Sequence, residues 1–282
     1  MNYEEFRRKS RFGPDEISAY AQGRLISDAP DGLPRLPGYL LLPFHEVTRL
    51  DWDAATGTGV ITAVRYNRFD EWFYGCHFLS DPVMPGCWGV DAVWQCLKFF
   101  AAWRGLSGCD KSLGMENVSF FGQIRPYDNA VVYHVDILSV ERDREDVLIT
   151  GKGSVSVDGT LVYTMDSVQV GTAFWEAPST KPQTTATEEA GSAMRPLTYD
   201  EFAARDHFTR AEIVALSRGT LVSDPPEEVA LLPCDLMLEI GRIERIAVDL
   251  ATGEATVLAS RPHAPPDWFF AMTPSVKPAA LS

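Results

Sequence analysis

No apolar run in the sequence approaches the roughly 18 residues needed to span a bilayer, so no membrane association is expected. The first residues, Met1 to Glu16, lack the apolar centre of a secretory signal. Cysteine is sparse: the five at positions 76, 87, 96, 109 and 234 are odd in number and show no paired short spacing. That pattern predicts reduced thiols and a cytoplasmic location rather than a disulfide framework. Basic residues are outnumbered, and the net charge is −14. A surface of that sign excludes nucleic acid as the expected main partner, because phosphates demand basic patches. Otherwise the charge speaks only for solubility.

What is present is ordinary for a globular protein. The 282 residues are 45% hydrophobic and 23% charged, enough for one large domain or two modest ones. Residues 1–30 read as a short amphipathic helix, with Pro14, Asp15 and Glu16 in a first turn and Ile17, Tyr20 and Leu25 on the apolar face. Asp28–Leu36 is a loop. Tyr39–Leu50 is apolar and extended, Asp53–Gly57 turns, and Thr58–Tyr66 alternates as a strand does, so the pair predicts a hairpin. Cys87–Trp103 is apolar on nearly every face, which predicts a helix wrapped by something else. Strands are expected at Val118–Arg125 and Ala130–Val140, and at Val147–Val157 and Thr160–Val170 around the hairpin signal Asp158-Gly159. Two strands, one buried helix and about four strands predict an α+β fold, one sheet curled around one helix.

Residues 175–196 are rich in Pro, Ser, Thr and Ala and predict a flexible linker. Beyond it the chain restarts at a fixed offset of 196: Tyr3, Phe6, Phe12, Glu16 and Ile17 match Tyr199, Phe202, Phe208, Glu212 and Ile213. Gly23, Leu25, Ser27 and Asp28 match Gly219, Leu221, Ser223 and Asp224, and Trp72-Phe73 matches Trp268-Phe269. A gapless register of this length is a duplication. Residues 197–282 are thus expected to be a truncated, non-catalytic repeat, since His77 corresponds to Thr273 and Ser282 falls opposite Gly86.

The informative stretch is Trp72 to Gln95, WFYGCHFLSDPVMPGCWGVDAVWQ. His77 stands in a glycine- and aromatic-rich turn, and Asp91 lies inside an otherwise apolar helix. Gly86 and Cys87 stand at the helix start, where unpaired N–H groups and the helix dipole can hold an oxyanion. An imidazole can take a proton from the carbon beside a thioester carbonyl. An apolar setting keeps a carboxyl protonated, able to donate to a leaving hydroxyl, and Gln95 at i+4 can orient Asp91. Base, acid and oxyanion site together describe β-elimination of water.

The residues alone leave other readings open. A lone loop histidine is more often structural, and that reading is taken for His45, His134, His207 and His263. Cys87 can be read as an activated nucleophile or as a small buried thiol. Cys76, His77, Cys87 and Asp91 match no standard zinc spacing, so no metal is expected. Phe73, Tyr74, Phe99, Phe100, Phe120 and Phe121 are read as core, or in part as the lining of an acyl tunnel. Arg7, Arg8, Lys9 and Arg11 form a solvated face or meet an acidic carrier protein.

The stretch closely resembles the signature of the 3-hydroxydecanoyl-acyl carrier protein dehydratase family, and the likeness continues through LGMENVSFFGQIRP (113–126) and VDGTLVYTMDSVQVGTAF (157–174). Repeat and linker resemble the tandem dehydratase regions of polyunsaturated fatty acid and polyketide-type synthases. The resemblance implies a complete hot-dog domain over residues 1–174, its sheet wrapped around the central helix, acting as a homodimer with the site shared across the interface. It places the catalytic pair on His77 and Asp91, from opposite protomers. It places the thioester-binding glycine on Gly86, with Cys87 beside it, and supporting roles on Val83 and Gln95. The expected reaction is dehydration of 3-hydroxyacyl thioesters on acyl carrier protein to trans-2-enoyl products, without a cofactor. Asp at position 91 resembles the branch that also isomerises to cis-3 products. The rival functions are a hot-dog thioesterase and a non-catalytic module of a large synthase.

Overall fold

The computed structural model describes residues 1–143, 146–172, 195–226, 232, 238, 240–249 and 254–260. These divide into two compact units. The first comprises residues 1–69 and 84–172; the second comprises residues 70–83 and the described part of 195–260.

The first unit begins with α1 (Tyr3–Arg8), which Asn2 and Glu5 start through a reciprocal capping box. α2 (Pro14–Ala21) follows, with Pro14 in its first turn. The expected single helix is therefore two. The sequence signal for the first was the Asn2–Glu5 spacing, and Leu25 lies beyond the second, after Gly23 at φ 68°. A six-stranded antiparallel sheet has the order β1-β2-β4-β5-β6-β3. Its strands are β1 (Glu46–Asp53), β2 (Thr58–Tyr66), β3 (Lys111–Phe120), β4 (Ala130–Asp143), β5 (Asp146–Val157) and β6 (Thr160–Gly171). Asp158 and Gly159 turn β5 into β6 with φ of 48° and 86°, the pair of positive values that a two-residue hairpin loop needs.

The central helix, α3 (Gly86–Arg104), packs against β2, β4, β5 and β6, the hot-dog arrangement. Its seat is cut by two glycines of β5. A Cβ on Gly153 would stand 2.7 Å from Val93 Cγ1, and one on Gly151 would stand 3.1 Å from Leu97 Cδ2. Both Val93 and Leu97 are fully buried on α3. The other end of α3 is gripped by the N-terminal helices. Phe6, Phe12 and Tyr20 set their rings 4.9–5.7 Å from Phe99, Tyr3 Oη donates to Ala102 O at 2.8 Å, and Trp103 Nε1 donates to Lys9 O at 2.9 Å.

Three further expectations need correction. The stretch expected to be extended from Tyr39 opens with a 3-10 turn at Tyr39–Leu41, and its strand begins only at Glu46. The strand expected at 118–125 instead begins at Lys111, ends at Phe120 and pairs with β6 through three register breaks. Gly114, Glu116 and Asn117 disguise it, and an edge strand tolerates such residues because one side of its ladder is open. For the same reason Phe120 and Phe121 are not core: they are 53% and 64% exposed, whereas Phe73, Tyr74, Phe99 and Phe100 are buried.

In the second unit α4 (Tyr199–Ala203), α5 (Arg210–Ser217), β7 (Arg242–Asp249) and β8 (Glu254–Ser260) follow in the order of their counterparts. α5 and β7 have the bounds of α2 and β1 shifted by the offset seen in the sequence. The bridge Phe12↔Val47 recurs as Phe208↔Ile243, and the bond from Tyr3 N–H to Asp28 Oδ1 (2.6 Å) recurs from Tyr199 N–H to Asp224 Oδ1 (2.7 Å). Phe208, Ile213, Leu216, Leu221 and Leu238 form its core. Nearly all of the expected linker at 175–196, and the end of the repeat with Trp268, Phe269 and Thr273, lie outside the described residues.

The glycine seat is testable. In Gly153→Ala the new methyl must lift α3 or displace the β-branched Val93, and we expect a loss of about 1–3 kcal/mol, the usual cost of overpacking. Urea unfolding would measure it; unchanged stability would mean that α3 does not sit as closely on β5 as described.

Candidate active site

The start of α3 is opened by Pro85, which sits outside the helix at φ −56° and ψ 127°. Gly86 is the first helical residue, and a Cβ there would stand 3.0 Å from the ring of Phe120. A Cβ on Gly89 would stand 2.5 Å from the ring of Tyr163, which meets Phe120 edge-on at 4.7 Å. Two glycines thus let two aromatic rings press on the first turn. Burial, with Cys87 adding to it, pushes the Tyr163 phenol up to about 12. Cys87 is exposed, so of the two readings of this thiol the buried one does not hold.

Asp91 lies one turn further along α3, between the buried Val93 and Gly89 in sequence. Gln95 Nε2 donates to both of its carboxyl oxygens, at 3.2 and 3.3 Å. Gln95 is itself buried, and its Oε1 has no hydrogen-bond partner among the described residues. Burial raises the Asp91 pKa above the ordinary 3.8, while the Lys98 ammonium and the Gln95 amide pull it down. The side chain retains some accessible surface, but protein surrounds it closely enough for desolvation to dominate. Lys98, two turns from Asp91 on the same helical face, was not singled out from sequence. Its own pKa is lowered by burial and raised by Asp91 and Asp110. The i, i+7 spacing was the available signal.

His77 lies in the second unit, just after a 3-10 turn at Trp72–Gly75. Its backbone N–H donates to Phe73 O at 2.8 Å, and its carbonyl accepts from Val83 N–H at 2.8 Å. The imidazole Nδ1 stands 2.9 Å from Val83 O. A carbonyl can only accept, so Nδ1 carries the proton and a neutral ring presents a bare Nε2. Val83 thus closes a loop on His77 through both backbone and side chain. The ring of Phe78 lies 4.2 Å away, and the His77–Phe78 peptide is cis.

The sequence-predicted residues therefore gather locally: His77 with Val83, Asp91 with Gln95, and Gly86 with Cys87 at the helix start. Three other histidines have structural partners, one of them His207, whose Nδ1 stands 2.8 Å from Asp206 Oδ1. His45 Nδ1 accepts from Tyr66 N–H at 3.0 Å, and burial lowers its pKa to about 4. His134 Nδ1 bonds Thr62 Oγ1 at 3.0 Å. His263 lies outside the described residues. Among the described residues, no three His, Cys, Asp or Glu side chains gather as a metal site would require. No described helix is long and apolar enough to cross a membrane.

A raised folded pKa on Asp91 has a definite sign. Its ionisation opposes folding, so the penalty is absent below the unfolded value near 3.8 and grows as pH rises towards the folded pKa. Asp91→Asn should therefore match the wild type in thermal stability at pH 3–4 and exceed it at higher pH. Parallel pH–stability curves for the two proteins would contradict the burial of this carboxyl.

Residues 36–166 match the family model of the FabA-like domain. Among solved structures, an uncharacterized protein from Erwinia carotovora subsp. atroseptica is 18% identical, covers 43% of this chain and 87% of its own, and superposes with a TM-score of 0.30. The dehydratase heterocomplex ApeI:P from Xenorhabdus doucetiae is 15% identical over 44% of this chain and 96% of its own, with a TM-score of 0.28. Zebra fish thioesterase superfamily member 2 is 14% identical over 44% and 78%, also at 0.28. His77, Val83, Gly86, Cys87, Asp91 and Gln95 all fall within residues 36–166, the stretch that is similar to the FabA-like domain.

Proposed function

We propose that the protein dehydrates 3-hydroxyacyl thioesters carried on acyl carrier protein. The reading rests on one observation above the others: a carboxyl set in an apolar helix, its acid form favoured by burial, within a FabA-like domain. His77 Nε2 takes the C2 proton, and Val83 O accepts from the opposite nitrogen, so that Nε2 is the bare nitrogen of the neutral tautomer. Negative charge gathers on the thioester oxygen. The N–H groups of Gly86 and Cys87 at the start of α3 receive it, and the helix dipole adds to them. Asp91 gives its proton to the C3 hydroxyl, the C–O bond breaks, and water leaves as the C2–C3 double bond forms. Gln95 then steadies the carboxylate until it is reprotonated. The elimination needs a neutral His77 ring and a protonated Asp91 at the outset, and burial favours the second.

In this reading the working form is a homodimer that shares its site, with His77 and Asp91 from opposite protomers, and the location is cytoplasmic. Residues 197–282 carry no catalysis. Thr273 stands at the position of His77 in the repeat, and Val257, at the position of the fully buried Ile61, is 58% exposed.

The test is incubation with a medium-chain 3-hydroxyacyl thioester and mass spectrometry of the products. Loss of water supports the dehydratase, and the position of the double bond reports whether isomerisation follows. Free acid would instead reveal a thioesterase. His77→Ala and Asp91→Asn should each cut turnover by about 10²–10⁴-fold, the usual worth of one acid–base group; near-normal dehydration in either would overturn its role. A third variant tests the electrostatics. Activity should fall as pH rises through the raised Asp91 pKa. Gln95→Leu removes a donor that favours the carboxylate, so this alkaline limb should move to higher pH. A limb that stays put or moves down would count against Asp91 as the acid.

A further inference from the structure

At the far end of α3 from Asp91 lies a cavity of about 330 Å³ lined by Tyr3, Glu4, Arg7, Arg8, Trp103 and Arg104. Counted from Asp91 to Arg104, the separation is about 20 Å along the helix. Its one carboxylate is already taken: Glu4 pairs with Arg8 along α1. Lys9, next in sequence, pairs with Glu16 at 2.9 Å. Arg7 and Arg104 have no carboxylate partner among the described residues, and neither has Arg142 of β4, whose charge Arg104 also feels. Burial, then Arg7 and Arg142, lower the Arg104 pKa.

The Arg7 and Arg104 guanidiniums each stand over aromatic faces. Arg104 lies 5.2 Å from the Trp52 ring centre and 5.9 Å from that of Trp103, and Arg7 lies 5.9 Å from that of Tyr3. The other polar groups of the cavity are occupied, since Tyr3 Oη donates to Ala102 O and Trp103 Nε1 donates to Lys9 O. The negative end of α3 does not account for the cluster. Ala101 O and Ala102 O already accept from Leu106 and Gly105 N–H, at 2.9 and 3.1 Å. A chain of net charge −14 has carboxylates to spare, yet leaves these like charges facing one cavity.

We infer that this cavity is an anion site for a phosphoryl group borne by a small molecule, with Arg7 and Arg104 supplying two guanidinium forks. The planar forks suit the several oxygens of a phosphate better than the point charge of an ammonium would. The inference is independent of the dehydratase reading, because none of these residues belongs to the candidate active site.

Isothermal titration of the full chain with inorganic phosphate, and separately with glycerol 3-phosphate, tests it at fixed ionic strength, with chloride as the blank. We expect saturable binding of either phosphoryl compound and a matching rise in Tm. Tighter binding of the ester would identify a phosphorylated metabolite, and equal binding would identify free phosphate. Arg7→Gln changes an exposed side chain and should weaken binding on the order of 10-fold. Arg104→Lys keeps charge but loses the fork and should weaken it similarly, whereas Arg8→Gln should leave it unchanged. No heat beyond the chloride blank would overturn the site, as would binding that survives both Arg7→Gln and Arg104→Lys.

Discussion

How closely α3 can sit on the sheet governs the first unit. Gly151 and Gly153 of β5 leave room for Leu97 and Val93, and Gly89 leaves room for the Tyr163 ring. With the helix seated so tightly, nearly every position along it must be apolar, and those that are not carry a cost. Asp91, Gln95 and Lys98 are the positions where that cost is accepted. They fall on one face, where two opposite charges and one amide partly offset one another. Desolvation pushes both ionisable members toward neutrality. For the carboxyl, neutrality is the state a general acid needs.

The same packing prepares the helix start. A side chain on Gly89 would collide with Tyr163 and one on Gly86 would crowd Phe120, so at these two positions the helix start is bare backbone. His77 is organised by a separate device. Val83 binds its backbone and its Nδ1 at once, which fixes the tautomer. The acid is thus set by burial within a helix, and the base by hydrogen bonds within a loop.

Much of this was legible in the sequence because it is local. The Asp158-Gly159 pair announces its hairpin, the alternation of Thr58–Tyr66 gives β2 its observed bounds, and the apolar run 87–103 lies within one residue of α3 at each end. The motif residues were legible by type and spacing. What escaped depends on tertiary context. β3 carries Gly, Glu and Asn because an edge strand need not satisfy both sides, and that same edge leaves Phe120 and Phe121 exposed. α1 was hidden because six residues are too few to show a period, although Asn2 and Glu5 mark its start. The coupling of Lys98 to Asp91, and the convergence of Arg7 on Arg104 from distant parts of the chain, exist only once α3 is in place.

The most direct test of the account is titration of the Asp91 carboxyl itself. Carbon-13 NMR of protein labelled at the aspartate carboxyl carbons would follow it, with the Asp91 signal identified by its absence from Asp91→Asn. The account predicts that this resonance remains in the protonated position after the exposed carboxylates have ionised, and moves only at higher pH. A resonance that titrates together with the exposed carboxylates would show that α3 does not hold Asp91 as an acid, and the proposed elimination would lose its proton donor.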